Sequence, residues 1–234
     1  MTEISRGQWG VVSWPYVAVN NAYDPYNYSR NNGKYATYQL ILQFKDTSFA
    51  EGERQVLTHL SKLLDNRSMA DVTFVVQNER IGAHAAIVVS GSPVICAMLE
   101  EDKFREGRTK TVKIDDIDPV VFKEVLRYLY TGRTPKLDQD DMTEPLFLAA
   151  DKYRIEGLRD LCEQSLISKL KVQEVAHFLV LAYLQSAPQL LEASLKFLEG
   201  HKKEIVDRDE WKQLNKNHPD LFFLATHRMM GLKE

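Results

Sequence analysis

The hydrophobic period of this chain changes abruptly at residue 70. Before it, Val56, Leu57, Leu60, Leu63 and Leu64 recur at three and four residues, which draws a wide apolar stripe down a helix that begins near Glu53. After it, Asp71 to Val76 reads as a buried strand, Gln77-Asn78-Glu79-Arg80 as a polar turn, and Ile81 as a second short strand or the start of a helix. Strand, turn and helix follow in quick succession, the mixture of elements that an α+β fold is made of.

Downstream punctuation agrees. Ala83 to Val89 has helical length, Ser90-Gly91-Ser92-Pro93 breaks it, and Pro93 suits the first turn of the next helix, so two short helices form a hairpin. Thr111 to Asp115 alternates as a strand. Asp118 then offers an N-cap, Pro119 a first helical position, and Phe122, Val125, Leu126 and Leu129 a core face; Gly132 is placed to end the helix in a left-handed conformation. Beyond Pro135 the chain reads as almost wholly helical. Its stripes run through Leu146, Ala150 and Tyr153, then Leu158, Leu161 and Ile167, then Val175, Phe178, Leu179 and Ala182, then Leu191, Leu195 and Leu198. Short loops at Ser168-Lys169, Ser186-Ala187-Pro188 and His218-Pro219 join these helices as antiparallel neighbours.

Residues 1–52 differ in character, with asparagine and tyrosine bunched from Asn20 to Tyr35 and a strand expected near residues 37–44. This stretch is either a partial β element or a disordered arm.

The 234 residues carry a net charge of -3, which supplies no basic field for nucleic acid, and no stretch is apolar enough to read as a secretory leader or a membrane span. Cys96 and Cys162 sit in apolar helical sequence without paired spacing, which points to reduced thiols and a nuclear or cytoplasmic setting. The six histidines show no spacing with cysteine or carboxylate that would hold a metal, and neither a cofactor cradle nor a nucleophile elbow is present. His84 reads as a hydrogen-bonded structural residue, Cys162 as a core residue, and the acidic runs at Glu100 and Asp138 as solvated loops. The expectation is a non-catalytic protein with no cofactor and no metal.

Four motifs stand in order: Ala70-Asp-Val-Thr-Phe-Val-Val, Ala83-His-Ala-Ala-Ile, Ser92-Pro-Val, and Leu148-Ala-Ala-Asp-Lys-Tyr-Arg-Ile-Glu-Gly-Leu with Cys162 four residues on. Together they resemble the BTB/POZ domain. Val175 to Ala187, Trp211 and His218-Pro-Asp-Leu are similar to the C-terminal part of speckle-type POZ proteins, which implies a shortened BACK-like segment. The resemblance implies residues 53–167 as a BTB/POZ domain, a small mixed sheet flanked by helical hairpins, and residues 168–234 as an all-helical BACK-like extension. It does not reach the first fifty residues, which are too few for the complete substrate-recruiting MATH domain of those relatives.

By the same resemblance the chain is a dimer. The matching positions are Val56, Leu60 and Leu63 on the leucine helix, with Ile87 across from them. Burying a few such side chains contributes several kcal/mol, at about 25 cal/mol per Å², before association costs. A hydrophobic-x-glutamate motif of cullin-3 adaptors is matched by Phe104, Arg105 and Glu106 after Met98 and Leu99, with one residue more between Met98 and the motif than in speckle-type POZ proteins. The implied function is a dimeric adaptor joining the cullin-3 ubiquitin ligase to a protein substrate. The alternative is a scaffold or regulator, transcriptional regulation included, that forms homodimers or heterodimers with other BTB proteins and serves no ligase. Neither reading calls for nucleic acid or a membrane.

Overall fold

The computed structural model describes residues 47–100, 105–139 and 141–231. The strand expected near residues 37–44 lies outside them, as does Phe104. Helix α1 (Thr47–Asn66) starts before Glu53 and stops where Arg67 and Met69 take positive φ values of 50° and 61°. The chain then enters a three-stranded sheet of β1 (Val72–Val76), β2 (Glu79–Ala83) and β3 (Thr111–Ile114), in the order β2-β1-β3. β1 is central, antiparallel to β2 with Phe74 opposite Ile81, and parallel to β3 with Phe74 opposite Val112. That mixed pairing requires the crossover that the intervening helices supply. The open choice at Ile81 resolves to a strand, on which only Ile81 and Ala83 are buried.

Between β2 and β3 come α2 (Ala85–Gly91), α3 (Pro93–Met98) and α4 (Arg105–Thr109). Ser92 caps α3, accepting from the Ile95 N–H at 3.1 Å. Helix α5 (Pro119–Thr131) follows its sequence signals at both ends: the Asp118 carboxylate accepts from the Val120 N–H at 2.7 Å, and Gly132 ends it at φ 65°. Phe122, Val125 and Leu126 are buried, and Leu129 packs half-buried on the same core.

The rest is helical: α6 (Thr143–Lys152), α7 (Glu156–Ser168), α8 (Val175–Leu184), α9 (Pro188–Ile205), α10 (Asp209–Asn217) and α11 (Pro219–Met229). One expectation is corrected here. Leu161 is 42% exposed, because α7 turns Leu158, Cys162 and Leu166 inward at i, i+4 and i+8 instead. Two cores result. The first joins the sheet to α2, α3, α5, α6 and α7; the second gathers Leu195, Leu198, Trp211, Leu214 and Leu221. Helix α8 belongs to both, giving Phe178, Leu181 and Ala182 to the first and Val175 and Leu179 to the second. No helix among the described residues is long and apolar enough to cross a membrane.

Candidate functional site

The motif residues of the sequence turn out to be joints. The backbone N–H of His84 donates to the Tyr130 hydroxyl at 2.9 Å, Nδ1 lies 2.6 Å from the same oxygen, and Nε2 lies 2.7 Å from the Ser68 carbonyl. That carbonyl only accepts, so Nε2 carries the proton and Nδ1 accepts from Tyr130. The imidazole thus ties the end of α1 to α5. Asp71 accepts from the Ala85 N–H at 2.6 Å and so serves the first turn of α2, for which His84 supplies no side-chain cap. Ser92 donates to the Tyr153 carbonyl at 2.7 Å, joining α3 to the end of α6. A Cβ added at Gly157 would collide with Tyr128 Oη, the outer tip of a half-buried α5 side chain that would have to move aside.

The His84 joint holds the C-terminal end of α1 against α5, and an apolar face of α1 is left open. Leu63 is half-buried and packs on the first core, as does Ile87 on α2. Leu60, one turn earlier, is half-buried and lies outside that core, and Val56 is 56% exposed. Val56, Leu60 and Leu63 share one stripe by their spacing.

Of the residues matched to the hydrophobic-x-glutamate motif and its approach, Met98 is half-buried at the end of α3, Leu99 is buried in the core, and Glu106 is half-buried in the first turn of α4. Leu99 therefore supports this surface from beneath. Arg105 opens α4; its side chain, like Phe104, lies outside what is described.

A cleft of about 750 Å³ lies where the first turn of α5 meets α6, with Ile117, Val121 and Ala149 in its floor and partly exposed Leu148 and Val120 beside them. Four carboxylates rim it, but three have structural work. Lys152 holds Asp116 at 2.6 Å and lowers its pKa, Asp118 caps α5, and Glu144 lies 2.7 Å from His177. Such a rim suits contact with a partner better than proton transfer, which needs a free acid and base facing one substrate atom. Cys162 is equally unsuited to nucleophilic chemistry, since burial pushes its thiol up to about 12. Among the described residues no three histidine, cysteine or carboxylate side chains converge as metal ligands do.

A short mixed sheet wedged among helical hairpins, a motif set spent on holding helices together, and an open apolar helix face define a protein-interaction module. The comparisons supply its family: residues 60–170 match the BTB/POZ domain, and the chain is a BTB/POZ domain protein. It is similar to TD and POZ domain-containing protein 3 of Mus musculus, at 36% identity over 190 residues, 81% of this chain and 52% of that protein. TD and POZ domain-containing proteins 5 and 2 of the same species are each 37% identical over 169 residues, 72% of this chain and 49% and 46% of theirs. The chain spans about half the length of these curated relatives. Sequence reasoning missed Asp71 as a cap and Tyr130 as the partner of His84. Both act over more than ten residues of sequence, beyond the reach of any local pattern.

Proposed function

We propose that the chain is a dimeric BTB adaptor that links the cullin-3 ubiquitin ligase to protein substrates, with residues 53–167 as the BTB domain and 168–234 as a BACK-like helical segment. The observation that carries the reading is the unequal burial of one helix stripe, from Leu63 packed on the core to Val56 at 56% exposure. A helix anchored at one end and apolar and open at the other is suited to a two-fold partner, and half-buried Ile87 extends that face. The link to cullin-3 is supported by the place of Met98 and Glu106 on either side of the 101–104 segment, as the resemblance requires.

Two measurements test it. Light scattering coupled to size exclusion is expected to show a dimer for the wild type and a monomer for Leu60→Asp; a wild-type monomer would remove the dimeric reading. Titration with the purified cullin-3 N-terminal domain is expected to show binding that a Phe104→Ala, Glu106→Ala double variant loses. Equal tight binding by both, or none by the wild type, sinks the ligase role and leaves a scaffold that pairs with other BTB proteins.

A further inference from the structure

We propose that the groove between α1 and the C-terminal end of α5 binds an extended, carboxylate-rich segment of a partner protein. The groove encloses about 310 Å³, and Arg54, Lys62, Arg127 and Arg133 line it, with no carboxylate and no aromatic ring in its wall. Four cations gathered in one place stand against a net charge of -3 over the whole chain. Two are already engaged: Arg54 with Glu51 at 2.7 Å, and Arg127 loosely with Asp65 at 3.8 Å and Glu124 at 3.7 Å. Lys62 and Arg133 are both exposed and face no carboxylate within ion-pairing distance among the described residues. Lys62 and Arg133, left without counter-charge beside two paired arginines, raise the potential in the groove and attract an anionic partner.

The layout of the cations selects the kind of anion. Arg54 and Lys62 are two turns apart on α1, roughly 12 Å along its axis at 1.5 Å per residue. A single phosphate draws donors that converge on one point. Here they are strung out over a length that about four residues of extended chain would span, at roughly 3.3 Å each. Leu57 and Pro135 give the groove an apolar floor, which accommodates the side chains between the acids. With no aromatic surface for base stacking, the groove lacks what a single-stranded nucleic acid would use. At about 100° per residue Arg54 and Lys62 lie roughly 160° and 120° around α1 from Val56, so both point away from the apolar face that a second copy would cover. The proposal depends on neither dimerisation nor cullin binding.

The probe is a dye-labelled hexapeptide of alternating glutamate and leucine, titrated by fluorescence anisotropy with the full chain. Binding to the wild type is expected, weakened several-fold when ionic strength rises from about 0.05 to about 0.2 M. A Lys62→Glu, Arg133→Glu variant is expected to bind about tenfold more weakly or worse, and Lys62→Gln, Arg133→Gln to fall between, as befits rim charges. Both positions are exposed, and an unchanged circular-dichroism melt shows that the variants fold. Absence of binding by the wild type, or equal affinity in the charge-reversed variant, overturns the proposal. So does a phosphoserine version of the peptide that binds about tenfold tighter than the glutamate one, since that outcome identifies a phosphate reader.

Discussion

The Glu163 carboxylate accepts a 2.8 Å hydrogen bond from the backbone N–H of Leu190, which makes a buried residue of α7 the N-terminal cap of α9. Ala187, at the cap position itself, has no side-chain oxygen to offer. Arg159, one turn earlier on α7, donates to the Gln185 and Ser186 carbonyls at 3.0 Å each, so the same helix holds both sides of the α8–α9 turn. Replacing Glu163 by alanine leaves a helix N-terminus buried without its acceptor, at a cost of about 1–3 kcal/mol. Glu163→Gln keeps an acceptor oxygen and is expected to lose less. Urea unfolding of the three proteins checks the order.

Tyr130→Phe removes one hydroxyl and orphans two groups of His84, its backbone N–H and Nδ1. A loss of about 1–3 kcal/mol is expected. Hydrogen exchange distinguishes this from general loosening, because the His84 amide should gain the most relative to amides of the sheet.

Gly157→Ala is expected to destabilise by about 1 kcal/mol or less, because the displacement of Tyr128 Oη by the new methyl is partly offset by the better helix propensity of alanine. Removing that atom relieves the clash, so Gly157→Ala combined with Tyr128→Phe should recover most of the loss. A double-mutant cycle by thermal denaturation measures the coupling.

Alkylation by iodoacetamide at neutral pH should reach half-buried Cys96 and spare Cys162 in the native protein, with both labelled in denaturant. The fold raises the Cys162 thiol from an ordinary 9.0 to about 12. Below pH 9 the thiol is neutral whether the chain is folded or not, and pH has no leverage through it. Between those values the unfolded chain gives up the proton and the folded one keeps it, so stability falls as pH rises through that window. Mass spectrometry of the labelled chain and a melt at pH 8 and pH 10 test the two halves of this statement.

Much of the fold was legible where the signal is local. Asp118, Pro119 and Gly132 bound α5 because capping and a left-handed stop act within a few residues. Leu161 was misread because Leu158, Leu161 and Cys162 fit helical spacing equally well, and only the neighbouring helix decides which of them turns inward. The links from Ser92 to Tyr153 and from Glu163 to Leu190 span 61 and 27 residues. No pattern in either segment announces them. The basic groove was hidden for the same reason, since its cations come from α1, from α5 and from the segment just after α5, which the sequence keeps far from α1.

Helix α8 lends residues to two cores, and this sets where the chain can be cut. Phe178 and Leu181 complete the hydrophobic interior that begins in the sheet, although they lie beyond residue 170, where the BTB/POZ match ends. A fragment trimmed at that point would expose the leucines and aromatics that α8 covers, and it would be expected to aggregate. The two cores share a wall, so melting one strips the other, and the chain from α1 to α11 should lose its structure as one cooperative unit.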